Sequence, residues 1–383
     1  MKKEAEIYIH IPFCVRKCDY CDFLSAPAGE EVREQYVQYL ISEIKKSPWV
    51  ADDVIVPTVF IGGGTPSILT AQQISQIMEA VGETFYLQKD AEITIEANPG
   101  TLTEEKLMEY RRTGINRISI GLQSAQNEEL QKLGRIHTYE EFLQSYDLAR
   151  KAGFDNLNVD LMSALPGQRL ETWQDTLQKV CALDPEHISA YSLIIEEDTP
   201  YADRYMEDEK LREKGEIPRE LPSEEEERRM YEFTKEYLET KGYHRYEISN
   251  YAKAGRECRH NIGYWTRRNY MGFGLGAASL YDNIRYRNEP DFVRYMTWSG
   301  EQGAELLSEQ AQKEEFMFLG LRMMKGINIR EFEENFHESM DKIYGEVISK
   351  LKSKELIQQQ GDRLNLTDRG IDVSNYVLAQ FLL

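Results

Sequence analysis

The residues best suited to chemistry lie close together near the amino terminus. Cys14, Cys18 and Cys21, in CVRKCDYCDF, follow a short apolar run, IYIHIP, at a C-x3-C-x2-C spacing. Three thiolates make a metal site that is one ligand short. Structural zinc sites bring two ligand pairs, and no matching second pair is present. On donor chemistry alone, zinc with a distant fourth ligand and an iron–sulfur cluster stand level. The other cysteines, Cys181 and Cys258, bring the total to five. An odd count, with three cysteines crowded into one loop, does not suit a disulfide framework. Cys181, in LQKVCALD, falls on an apolar helical face and reads as a core thiol.

Other polar groups recur where strand-like segments end. GGGTPS (Gly62 to Ser67) leaves backbone N–H and C=O groups bare, which suits the amino end of an amino acid; its plain alternative is a tight turn. Glu96, Gln123 and Asp160 each close a strand-like segment, and Arg135 follows one in KLGRIHT. A carboxylate there is often only a cap or turn former, but four such groups on successive units of one rim are harder to dismiss. His10, inside the first strand, reads as an interior histidine. His260, in HNIGYW, taken alone reads as a hydrogen-bonded structural histidine.

These groups need a scaffold, and the first 200 residues supply a two-period rhythm. IYIHIP, TVFIGG, EITIEAN, RISIGLQS, NLNVDLMSALP and HISAYSLII are short, β-branched and bounded by Gly, Pro, Asn or Ser. Helical patterns such as TAQQISQIMEAVGETF and YEEFLQSYDLARKAG separate them, several opening on a cap residue and an acidic turn, two ending at Gly114 and Gly153. Crossovers of that length imply parallel pairing, hence a β/α barrel or an open doubly wound sheet with ligands at the carboxyl ends of the strands. After residue 200 the strand rhythm is lost. A charged helical insertion is followed by a Tyr-, Arg- and Gly-rich stretch. From about Leu306, helices and a hairpin, LIQQQGDRLNLT, suggest a winged-helix-like module, whose acidic helices favour packing over DNA binding.

A chain of 383 residues and net charge −20 repels nucleic acid, so an anionic ligand needs a local basic pocket. No apolar run reaches the roughly 18–20 residues that span a bilayer, and the start lacks a signal-peptide pattern. The expectation is a cytoplasmic protein without a transmembrane segment.

The cysteine spacing, placed after the first strand of a β/α sheet, resembles that of the radical S-adenosylmethionine (SAM) superfamily. That resemblance implies α/β architecture: a partial (β/α)6 TIM-like barrel with a smaller, mainly helical, winged-helix-like C-terminal domain. It implies a [4Fe-4S] cluster on Cys14, Cys18 and Cys21, with the fourth iron left for SAM. Tyr8 lies alongside, Tyr20, Gly63, Gly64 and Thr65 line SAM, and Glu96, Gln123, Arg135 and Asp160 complete its pocket. Within the superfamily, GGGTPS, EANP, R.SIGLQS and D.M..LPGQ are similar to the oxygen-independent coproporphyrinogen III oxidase group over nearly the whole chain. The short N-terminal arm, and Phe23 where the oxidase has a cysteine, match the shorter relatives that act as heme chaperones.

HNIGYW matches the H-N-x-x-Y-W signature of those relatives, in which the histidine is implicated as a heme ligand. The resemblance therefore assigns heme to His260, Tyr264 and Trp265, with Arg259, Arg267 and Arg268 placed to meet propionates. Cys258 reads as a buried residue before it reads as a second thiol contact. The implied organisation is 1–245 for the barrel with its insertion, 246–300 for a connector carrying the heme motif, and 301–383 for the C-terminal domain. The implied partners are heme, a heme-acceptor protein and a reductant protein. Coproporphyrinogen oxidase chemistry stands as the enzyme alternative.

Overall fold

The computed structural model describes residues 3–49, 54–297 and 303–383. The expected boundary at 300/301 lies outside the described residues. Six strands run parallel in chain order: β1 (Glu6–Ile11), β2 (Ile55–Gly63), β3 (Tyr86–Ala97), β4 (Arg117–Gln123), β5 (Leu157–Ser163) and β6 (His187–Ser192). Between them lie α1 (Glu30–Lys45), α2 (Ala71–Thr84), α3 (Glu104–Arg112), α4 (Asn127–Lys132), α5 (Tyr139–Lys151) and α6 (Leu170–Ala182). Helix starts are fixed chemically. Thr70 with Gln73 and Thr138 with Glu141 form reciprocal capping boxes, and Gly114 and Gly153 take positive φ just past α3 and α5. The α/β class is as expected.

The strand faces divide sharply by period-2 alternation. On β1, Ile7, Ile9 and Ile11 are fully buried against the helices with Val59, Ile61, Ile95, Ile118 and Val159. The other face carries Glu6, Tyr8 and His10, and its equivalents are Thr58 and Phe60 on β2, Glu92, Thr94 and Glu96 on β3, Arg117 and Ser119 on β4, and Asn158 and Asp160 on β5. The lumen is therefore polar, unlike the aliphatic interior usual in a closed eight-stranded barrel.

After α7 (Pro200–Glu213) and α8 (Glu224–Thr240), the strands resume, where the sequence shows no strand rhythm. β7 (His244–Glu247) and β8 (Asn250–Ala252) add antiparallel to β6. After α9 (Arg259–Trp265), β9 (Tyr270–Phe273) pairs parallel with β1 and carries β10 (Ala278–Tyr281) and β11 (Ile284–Arg287) antiparallel beyond it. α10 (Phe292–Thr297) and β12 (Glu305–Leu306) complete this twelve-stranded sheet. None of these late strands exceeds four residues, too short for an alternation to stand out.

The C-terminal part has its own core around Phe332, Phe336, Tyr344, Leu351 and Phe381. It comprises α11 (Glu309–Gly320), β13 (Ile327–Asn328), α12 (Ile329–Phe336), α13 (Met340–Ser353), the hairpin β14 (Ile357–Gln360) and β15 (Arg363–Leu366), α14 (Asp368–Asp372) and α15 (Ser374–Ala379). β13 adds to β15, giving the three-stranded antiparallel sheet of a winged-helix-like module.

Candidate functional site

The cysteine loop leaves the carboxyl end of β1 and lies on the barrel rim against the turn after β2. Gly64 N–H donates to the Ile11 carbonyl at 2.9 Å and Thr65 N–H to the Phe13 carbonyl at 2.7 Å, so the two turns are joined through backbone. A Cβ on Gly64 would fall 2.7 Å from the Phe13 oxygen, and one on Gly63, whose φ is +112°, would overlap the His10 ring. Here glycine is required by close approach at one position and by backbone conformation at the other.

Donors surround the thiols. Thr65 Oγ1 donates to Cys14 Sγ at 3.4 Å, and Arg135 Nη1 lies 3.6 Å from Cys18 Sγ. Arg135 is anchored by Nη2 to the Asn98 side chain (2.8 Å) and the Gly121 carbonyl (2.5 Å), while its buried Nε has no partner. Cys14 is buried, Cys18 and Cys21 half-buried. Desolvation raises the Cys21 thiol, outweighing the Phe23 backbone hydrogen bond and the Lys17 charge that lower it. Among the described residues, no group of three His, Cys, Asp or Glu side chains converges as for a single metal ion. A thiol set with a guanidinium beside it, and no fourth cysteine on the loop, fits an anionic thiolate-bound cluster that leaves one position for another ligand.

The other rim groups gather nearby. Glu96 Oε2 accepts from Gly63 N–H at 3.0 Å; burial, reinforced by Asp160, pushes its carboxyl up to about 8. Gln123 sits at φ 72°, in a left-handed turn at the end of β4, with its Oε1 taking the Tyr191 hydroxyl at 3.2 Å. Tyr20 packs on Tyr201 at the mouth. Asp160 and Tyr8 sit deeper in the lumen. Asp160 is held by Ser119 (2.8 Å) and Asn158 (2.7 Å). The Tyr8 hydroxyl is 3.0 Å from His10 Nδ1, and its ring stacks on Phe60. His10 is interior, as expected, with Nε2 2.9 Å from the Leu24 carbonyl.

The motif expected to hold heme is not at this rim. α9 closes the opposite, amino-terminal mouth of the barrel. His260 is 1 % exposed, its Nδ1 lies 2.7 Å from the Thr58 hydroxyl, its Nε2 3.2 Å from the Tyr264 hydroxyl, and its ring stacks on Phe60. Burial holds its pKa down at about 3, so the ring is neutral, yet neither nitrogen is free to meet an iron. The basic neighbours are also engaged: Arg259 with Asp90, Arg267 with Glu315 and Asn283, Arg268 with Glu6. The three residues expected to hold heme thus lie together at this mouth, His260 buried and Tyr264 and Trp265 half-buried. The residues form a packed floor because Glu92 and Glu6 draw them in.

Sequence reasoning missed that floor. Glu92 accepts from the N–H groups of Arg259 (3.1 Å) and His260 (3.2 Å) and from Cys258 Sγ, whose thiol burial lifts to about 12. Glu6, fully buried, is raised by desolvation to about 8, against the pull of Arg268. The polar alternation of Glu6, Tyr8 and His10 along β1 was the available signal. Cys181 is half-buried on α6, packed against the core.

A parallel β/α sheet with a three-cysteine loop at its first strand end defines a radical SAM protein, and residues 8–180 match the Radical SAM superfamily model. Residues 307–373 match the model of the HemN C-terminal domain. The chain is 37% identical to the heme chaperone HemW of Lactococcus lactis over 386 residues, covering 100% of this chain and 98% of the relative. It is 36% identical to that of Bacillus subtilis, covering 98% of each. This chain belongs to the HemW heme chaperone family. In fold it is also similar to the coproporphyrinogen III oxidase HemN of Escherichia coli, with TM-score 0.85 and 23% identity over 100% of this chain and 90% of that one.

Proposed function

We propose that this chain is a heme chaperone that binds heme and delivers it to an acceptor protein, using a radical SAM barrel as its scaffold. Family membership over the full length carries the reading. The cluster would be held by Cys14, Cys18 and Cys21, and SAM by the rim of Gly63, Gly64, Thr65, Glu96, Gln123 and Arg135, with Tyr20 at the mouth and Tyr8 and Asp160 beneath. When bound and reduced, the cluster supplies an electron at low potential. The chain's own groups do the rest. Glu96 offers a carboxylate to a cationic amine, bare backbone at Gly63 and Gly64 lets that amine approach, and Arg135 faces a carboxylate and a thiolate together. A reductant protein in a reducing, cytoplasmic setting completes the scheme. No helix of the described residues is long and apolar enough to cross a membrane.

The site makes a pH prediction. In the ligand-free protein Glu96, at about 8, is protonated at neutral pH. Pairing with an ammonium favours its ionised form, so SAM binding below that pKa must release a proton. SAM affinity is expected to rise about tenfold per pH unit up to about pH 8, then fall as the α-amino group, at roughly 7.7–8.0, loses its charge. Calorimetric titration of the cluster-reconstituted protein checks this. Glu96→Gln should flatten the acid limb, and an unchanged limb removes Glu96 from the pocket.

Phe23, 61 % exposed on the loop after the third cysteine, separates this chain from the oxidase reading. Anaerobic incubation with coproporphyrinogen III, SAM and a reductant should give no vinyl-bearing product, and its formation would restore that alternative.

A further inference from the structure

We infer that HNIGYW is a strut that seats the C-terminal domain on the floor of the barrel, with His260 as a positioning residue and not an iron ligand. α9 is fixed to four strands along its length. His260 meets Thr58 on β2 and stacks on Phe60, Glu92 on β3 caps the helix, and Arg268, just past it, pairs with the fully buried Glu6 on β1 at 3.3 Å. Tyr264 joins His260 Nε2 to the Tyr270 ring on β9, whose centroid is 4.8 Å away. Gly263 lies so close to Glu6 that any side chain there would overlap the carboxylate.

The carboxyl end of α9 is fixed to the C-terminal domain as well. The Arg322 guanidinium, just past α11, sits 4.4 Å from the centre of the Trp265 ring, and also 3.6 Å from Glu247, a fully buried carboxylate at the end of β7. Arg267 pairs with Glu315 of α11 at 2.9 Å, and Arg285 of β11 reaches the same carboxylate at 2.7 Å. Glu315 and Arg267 are nearly buried, so this cluster is screened little by salt. Three residues of the motif thus have mechanical partners. His260 and Tyr264 engage the barrel, and Trp265 engages the domain beyond it.

The first test is hydrogen exchange on the cluster-reconstituted, heme-free chain. His260→Ala at the barrel end and Arg322→Ala at the domain end should each speed exchange of amides in both α9 and α11 about tenfold, with β4 unchanged. A His260→Ala effect confined to α9 overturns the strut. Tyr264→Phe, which removes one hydroxyl and little else, keeps the test available if His260→Ala does not fold, and should move both helices in the same direction.

The second test rests on the heme reading: titration with hemin, read by Soret position and ferric electron paramagnetic resonance. The axial-ligand signature of His260→Ala should equal that of the parent. A changed signature restored by free imidazole makes His260 the ligand and overturns the proposal. Failure of the parent to bind hemin would count against the chaperone reading and leaves the exchange result to decide the strut.

Discussion

Cys18→Ser is expected to abolish cluster assembly while the chain still folds. Iron and acid-labile sulfide in the reconstituted protein should fall at least about tenfold, with loss of the broad absorbance near roughly 400 nm. The size of the effect follows from the absence of a substitute. Cys258 is on the barrel floor, bonded to Glu92, and Cys181 lies on α6, on the helix side of the sheet. Neither can reach the loop. The Arg135 guanidinium beside Cys18 would then face a hydroxyl, a poor partner for a buried cation. Far-ultraviolet circular dichroism should match the parent, because Cys18 is only half-buried on a loop. Full iron loading of the variant would remove the loop as the cluster site.

Gly64→Ala is expected to weaken SAM binding at least tenfold and to lower stability by about 1–3 kcal/mol. The added methyl would meet Phe13 backbone atoms at 2.7 and 3.0 Å, and backbone has no rotamer to yield. That contact sits between two short backbone hydrogen bonds joining the turn after β2 to the cysteine loop, so relief must part the two sides of the pocket. Gly82→Ala is the control. That glycine is inside α2 with nothing within 4 Å of its Cβ position, so alanine there should stabilise by up to about 1 kcal/mol and leave SAM binding alone. Calorimetry and denaturant midpoints measure both, and equal behaviour of the two variants would contradict the steric argument.

The parts legible in the sequence are those with local signals. β1 to β6 alternate and are six or more residues long, α2 and α5 open with complete capping boxes, and the three cysteines lie on one loop. The strands between His244 and Leu306 were hidden because two to four residues carry no period. The floor was hidden for another reason. Glu6, Thr58, Glu92 and His260 are far apart in sequence and meet only because the parallel sheet places the starts of β1, β2 and β3 around one opening. His260 shows the limit of a motif most plainly. HNIGYW is a short local run, but what its imidazole meets depends on what the sheet puts opposite. Here that is Thr58 at 2.7 Å.

Heme delivery is tested most directly by anaerobic titration of the cluster-reconstituted chain with hemin, followed by addition of a heme-free globin, all read at the Soret band. The expected result is saturation at a fixed integral ratio, then full transfer of the band to the globin position. Linear uptake without saturation, or saturated heme that never leaves, would contradict a chaperone.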